Sequence, residues 1–237
     1  MNYYFLLEDE KSLLKVLPYW LDHLGFKCSR VPDISFVKEN NYVLQSGQGV
    51  VQLITKVLFD TIETILKSGN RIDKLVVIVD SESETVSYRK KEVEDKIAGK
   101  YNIASLPFEI VIIVCNHCFE SWLLGKSGLY PAYVDDKSSF YPYYSHYNIE
   151  LEDPELMIPP SDSKDNVAQY HFHYFHDLML YKRMRYTKKK PDIVAGQDFF
   201  HGLYDRIVRT DHIKSFKYLV DFIESEKEYG NAAAADT

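Results

Sequence analysis

The stretch Leu75-Val-Val-Ile-Val-Asp-Ser-Glu82 decides the fold: five apolar residues, four of them β-branched, run into two carboxylates one residue apart. A segment apolar on both faces belongs inside a parallel sheet covered by helices on either side. Asp80 and Glu82 then stand at the carboxyl end of a strand, where open α/β sheets place their ligands and their chemistry.

The neighbouring sequence supplies more of the same architecture. Residues 2–7 are apolar and aromatic-rich, a first strand with Glu8 at its end. Asp9 is placed to cap a helix to Leu24, because Leu13, Leu14, Leu17, Trp20, Leu21 and Leu24 recur at spacings of three and four. Gly25 stops it. Residues 26–40 carry a Pro-Asp pair and mixed charge, and read as an irregular connection. Residues 42–45 form a short strand, and Ser46-Gly-Gln-Gly49 turns into a helix with one apolar face from Val50 to Leu66. Such a turn either cradles a phosphate or simply joins strand to helix; it lacks the Lys-Ser/Thr ending of a P-loop and the dinucleotide spacing. The opening strand comes third, a polar helix follows over 84–100, and residues 108–114 make a fourth strand. The expectation is an α/β domain over 1–125 with a mostly parallel four-stranded sheet flanked by helices. Residues 126–229 read as a mainly helical C-terminal extension: a Tyr- and Pro-rich excursion over 128–160, a helix over 165–186, and one or two helices over 199–227. Residues 230–237 read as a disordered tail.

Composition bounds the function. A formal net charge of -7 argues against a generally basic nucleic-acid coat, while leaving room for a local basic patch. Cys28, Cys115 and Cys118 leave at least one thiol unpaired, which fits a reducing compartment. No apolar run approaches the length of a membrane span and the N-terminus lacks the pattern of a signal peptide, so a cytoplasmic protein with no membrane partner is expected.

The candidate chemistry lies in the carboxylates. Glu8 follows the first strand, Asp80 and Glu82 the third, and Glu120 the fourth, and the ends of parallel strands point the same way. Four converging carboxylates repel one another unless a cation lies among them, and hard oxygen ligands suit Mg²⁺ or Mn²⁺. Such an ion orients a phosphodiester, activates a water and stabilises the leaving oxygen. Each of these acids taken singly also suits a helix start or plain solvation.

A strand ending in Glu, a helix, a further β-α unit and an apolar strand ending in an Asp-x-Asp variant resemble the TOPRIM domain of primases, topoisomerases and overcoming-lysogenization-defect (OLD) nucleases. Cys115-Asn-His-Cys-Phe-Glu-Ser-Trp-Leu-Leu124 resembles the Asn-Pro-Cys-Phe-Glu-x-Trp-Leu-Leu block of the RloB-type, TOPRIM-like proteins of bacterial defence loci. The resemblance covers about residues 1–125. It implies a metal-dependent nuclease cleaving DNA, RNA or tRNA, an effector of anti-phage defence with a second defence protein such as an ATPase as partner, and it leaves room for a homo-oligomer. It assigns Glu8 as general acid/base or metal-bound group, Asp80 and Glu82 as the metal pair, and Glu120 as the later acid. Glu82 stands where the family has Asp, and His117 where the block has Pro. The alternative is a catalytically weak TOPRIM-like binding module regulated by a partner protein or nucleic acid. A haloacid-dehalogenase-like phosphatase would need Asp-x-Asp-x-Thr, which residues 80–85 do not match.

Lys182, Arg183, Arg185, Lys188, Lys189 and Lys190 form the one dense basic stretch, with Tyr181 and Tyr186 interleaved. It reads as a nucleic-acid-binding segment whose tyrosines stack on bases, or as a solvated loop after a helix. Lys11 reads as a solvated helix-face lysine, with a phosphate contact as the alternative. Cys115 and Cys118 have the spacing of half a zinc site with no second cysteine pair. His171, His173 and His176 are either aromatic helix packing or a further site.

Overall fold

The computed structural model describes the backbone of residues 1–235 and the side chains of residues 1–227. The tail expected over 230–237 lies outside the residues whose side chains are described. The sheet has five strands, all parallel, in the order β2-β3-β1-β4-β5. They are β1 (Tyr3–Leu7), β2 (Ser29–Arg30), β3 (Asn41–Ser46), β4 (Lys74–Asp80) and β5 (Glu109–Cys115). Register is set by Tyr3 opposite both Tyr42 of β3 and Lys74 of β4, and by Lys74 opposite Glu109 of β5.

The four-stranded expectation misses β2. That strand is two exposed residues paired to Asn41 and Tyr42, too short and too polar to show a period. The segment called irregular therefore holds an edge strand.

The continuous apolar character of β4 follows from cover on both faces. Leu75, Val77 and Val79 pack with Leu53, Leu58 and Ile62 and with Val93 and Ile97. These come from a helix over 50–67, composed of α2 (Val50–Gln52), a π turn (Leu53–Val57) and α3 (Leu58–Lys67), and from α4 (Val86–Ala98). Val76 and Ile78 face the other way, into a core shared with α1 (Leu13–His23) and α5 (Phe119–Leu124). The Trp20 ring lies 5.6 Å from Phe119, 5.8 Å from Phe200 and 5.4 Å from Phe216, so this second core continues past residue 125 into the C-terminal helices.

Those helices are α6 (Tyr141–His146), α7 (Val167–Tyr181), α8 (Asp192–Ala195), α9 (Gln197–Arg209) and α10 (Lys214–Ala235). The Tyr-rich excursion is ordered without periodicity because its polar groups close on backbone. Tyr130 donates to the Tyr144 carbonyl at 2.6 Å and Tyr147 to that of Asp153 at 2.7 Å. The Arg206 guanidinium donates to the carbonyls of Ile149, Glu150 and Glu152. No helix among the described residues is long and apolar enough to cross a membrane.

Candidate functional site

At the carboxyl ends of β1 and β4, Glu8, Asp80 and Glu120 line one cavity of about 330 Å³, together with Asp9, Lys11 and Lys188. Local structure explains each placement. Glu8 directly follows β1, and its carboxylate accepts the Asp80 N–H at 2.7 Å, because β4 turns that N–H towards β1. Burial lifts the pKa of Glu8 to about 7; the Asp80 and Val50 N–H groups and the Arg89 charge oppose the lift, and the Glu82 charge adds to it. Asp80 is raised well above the ordinary carboxylate range, by burial first and then by the charges of Glu8, Glu120 and Asp9. The Cys115 thiol, hydrogen-bonded to Asp80, works in the opposite direction.

Glu120 sits in the first turn of α5 and is 1% exposed. One of its oxygens accepts the Tyr186 hydroxyl at 2.8 Å. The other, Oε2, has no hydrogen-bond partner. The nearest cation, Lys188 Nζ, is 3.7 Å from it, beyond hydrogen-bond distance. Burial acts to lower the Lys188 pKa, but the Glu120, Asp80 and Asp9 carboxylates raise it overall. A buried carboxylate oxygen lacking a partner, in a residue that shares one cavity with two further acids, is an uncommon arrangement, and a bound cation or water is a usual explanation.

The glycine turn contributes to this site differently from a phosphate cradle. Gly47 donates to Leu7 C=O, Gln48 to Ser46 Oγ at 3.1 Å, and Gly49 to Glu8 C=O at 3.1 Å, so its amides are already engaged by β1 and by its own turn. Gly49 adopts φ 88°, and a Cβ on Gly47 would lie 2.6 Å from the Leu53 side chain. The turn thereby brings the start of the helix over 50–67 to Glu8, and the Val50 N–H to its carboxylate. α1 begins later than expected, at Leu13 with Ser12 rather than Asp9 in the N-cap position, while the Asp9 carboxylate organises the preceding turn by accepting the N–H groups of Lys11, Ser12 and Leu13.

Glu82 is not brought into the cavity. β4 ends at Asp80, and Glu82 takes φ 54° while its N–H donates to the His117 carbonyl at 2.8 Å. Its side chain is exposed. Of the basic stretch, Lys188 alone lines the cavity. Arg183, Arg185, Lys189 and Lys190 are exposed and Lys182 is half-buried nearby in sequence. Tyr186, expected on the surface to stack on a base, is 3% exposed and serves to hold Glu120. This contact joins residues 66 apart and left no mark in the sequence.

The three histidines have separate partners. His171 is buried between Ser121 Oγ and the Met157 carbonyl, each at 2.8 Å, and burial pushes its pKa down to about 4. His173 pairs with Asp165 and His176 with Asp177. Cys28, Cys115 and Cys118 are all free thiols. No family model, curated protein or solved structure matches this chain.

Among the described residues, no three His, Cys, Asp or Glu side chains are arranged as a ready metal cage. Mg²⁺ and Mn²⁺ do not require one. Mg²⁺ is commonly held by one or two carboxylates, with water and substrate phosphate in the remaining positions. The donor set of Asp80 and Glu120, with Glu8 beside them, fits that partial mode.

Proposed function

We propose that this cavity is the catalytic centre of a metal-dependent nuclease of TOPRIM-like type, cleaving phosphodiester bonds in nucleic acid with Mg²⁺ or Mn²⁺. The observation that carries the reading is the buried, unpartnered Glu120 Oε2, set in one cavity with Glu8 and Asp80. When bound, the ion would activate a water and neutralise charge on the phosphoryl oxygens.

Asp80 and Glu120 are the residues that would hold the ion. Glu8, with a pKa of about 7, is suited to take a proton from the attacking water at neutral pH and to return it to the leaving oxygen. Tyr186 fixes the Glu120 carboxylate so that Oε2 is the free atom. Lys188 is placed to meet a phosphate at the rim, and the exposed Arg183, Arg185, Lys189 and Lys190 would hold the strand beyond it. Glu82 acts at most through its charge on Glu8. The effector role in anti-phage defence, with an ATPase-like partner, rests on the Phe119-Glu-Ser-Trp122 resemblance.

A second reading is favoured by Lys188, which already rests over Glu120: a catalytically weak module that binds nucleic acid or a partner protein. The deciding experiment incubates the protein with Mg²⁺ or Mn²⁺ and a panel of DNA, RNA and tRNA, beside Glu8→Ala and Asp80→Ala. The nuclease reading predicts metal-dependent cleavage lost in both variants. Cleavage undiminished in both would remove the site assignment, and no cleavage of any substrate would leave the binding module.

A further inference from the structure

β5 is the edge strand of the sheet on the side away from β2. In the parallel register with β4, Glu109 N–H donates to the Asp73 carbonyl and Ser81 N–H to the Cys115 carbonyl, both at 2.9 Å. These bonds fix which way the strand faces: the peptide groups of Glu109, Val111, Ile113 and Cys115 turn towards β4, and those of Ile110, Ile112 and Val114 turn outwards. β5 is the last strand of the sheet, so no strand meets them. Among the described residues they have no backbone partner. Asn116, next in the outward series, has one: its N–H donates to Ser215 Oγ at 3.0 Å, and there the start of α10 closes the edge.

The open stretch is the floor of a groove. Cavities of about 830 Å³ and 910 Å³ follow one another along β5 between α4 and α10, sharing Lys90, Ile112 and Tyr218. Ile110, Ile112 and Val114 line them, the last two largely buried at 6% and 3% exposed. Unpaired peptide groups alternating above an apolar floor are what an added β-strand recognises: main-chain bonds supply affinity and the side-chain floor supplies selectivity.

Charge selects the occupant. Around the groove Lys74 is neutralised by Glu109 and Glu226, and Lys214 by Asp211. Lys90, which lines both cavities, has no acidic partner among the described residues and lies over the Tyr218 ring. Yet eight acidic residues line the two cavities against the three lysines Lys74, Lys90 and Lys214, and Glu94 and Glu152 have no cationic partner among the described residues. A second copy of this chain would set the same acidic rim, and the same flanking helices, against their own image. A single extended segment with basic residues meets neither obstacle. We propose that the β5 edge takes up an extended, basic peptide segment of a partner protein as a sixth strand. The proposal is independent of the nuclease reading, since the groove shares no lining residue with the carboxylate cavity.

The test is amide hydrogen exchange on the full chain with acetyl-Lys-Val-Lys-Ile-Lys-Val-Lys-amide as the probe. In the free protein the amides of Ile110, Ile112 and Val114 should exchange at least roughly tenfold faster than those of Val111 and Ile113. Saturating peptide should slow those three by about tenfold or more. The same peptide N-methylated at alternate residues, or with Glu in place of Lys, should leave them unchanged. Ile112→Pro removes an outward N–H while sparing the β4 ladder, but Ile112 is 6% exposed and its Tm should fall, so the N-methylated peptide, which leaves the protein intact, is the control that reads the main-chain bonds. Three results would overturn the proposal: equal protection of all five amides in the free protein, no slowing by the basic peptide, or equal slowing by the acidic one.

Discussion

Two carboxylates buried near the end of β5 meet different fates. Glu155 is 5% exposed and Glu120 1% exposed. Glu155 accepts the Ser215 N–H on both oxygens at 3.3 Å and also the Ser215 hydroxyl. That hydroxyl oxygen in turn accepts Trp122 Nε1–H at 2.6 Å and the Asn116 N–H. The network is closed, and its work is to tie the start of α10 to β5 and α5. Glu120 has one oxygen satisfied by Tyr186 and one left over. Burial therefore does not distinguish the two acids; unused hydrogen-bonding capacity does, and it is what the proposed function rests on.

Substitution should separate the two acids most sharply in activity. Asp80→Asn and Glu120→Gln are each expected to cut metal-dependent cleavage by at least about 100-fold. Their Tm should remain within a few degrees of wild type, because the side-chain amide introduced by Glu120→Gln keeps an acceptor oxygen for Tyr186. Glu155→Gln should keep the rate within about threefold, since Glu155 hydrogen-bonds none of the residues lining the carboxylate cavity. Single-turnover kinetics and thermal melts on the same preparations measure both effects.

Stability should reverse the order. Glu155→Ala leaves the Ser215 N–H and hydroxyl without their buried acceptor and is expected to cost about 2–4 kcal/mol in urea unfolding. Glu120→Gln should cost less than about 1 kcal/mol.

The pH dependence gives a finer contrast. Burial lifts Glu155 to a pKa of about 7 from an ordinary 4.5, with Ser215 opposing the lift. The folded state thus binds a proton that the unfolded state has released, so stability falls as pH rises between these two values. Glu155→Gln, which does not titrate, should flatten this fall by on the order of 1–3 kcal/mol. Urea midpoints on either side of that window read it.

The smallest effects belong to the rim. Lys189→Glu and Lys190→Glu should each weaken nucleic-acid binding by roughly threefold to tenfold and make its salt dependence shallower. Glu82→Ala should change cleavage by less than about twofold. A loss as large as that of Asp80→Asn would put Glu82 in the site after all.

Much of the scaffold was legible in the sequence for a definite reason. β4 and β5 are buried on both faces and so carry unbroken β-branched runs, and α1 carries its buried stripe at helical spacing. β2 was not legible, because two exposed residues have no pattern to show. In the site, strand ends predicted the gathering of Glu8, Asp80 and Glu120, which is a matter of topology. The exclusion of Glu82 is a matter of one backbone angle: spacing by two residues keeps a strand face only while the strand continues, and it stops at Asp80. The roles of Tyr186 and Glu155 depend on contacts across 66 and 60 residues, which no local pattern reports.

The contrast between the two buried acids meets its most direct test in a calorimetric titration of Mn²⁺ into the wild-type protein, Asp80→Asn, Glu120→Gln and Glu155→Gln. One ion per chain should bind to wild type and to Glu155→Gln with similar affinity, and binding should be lost or weakened at least about tenfold in Asp80→Asn and Glu120→Gln. Equal binding to all four proteins, or none to any of them, would contradict the assignment of the Glu8–Asp80–Glu120 cavity as a metal site.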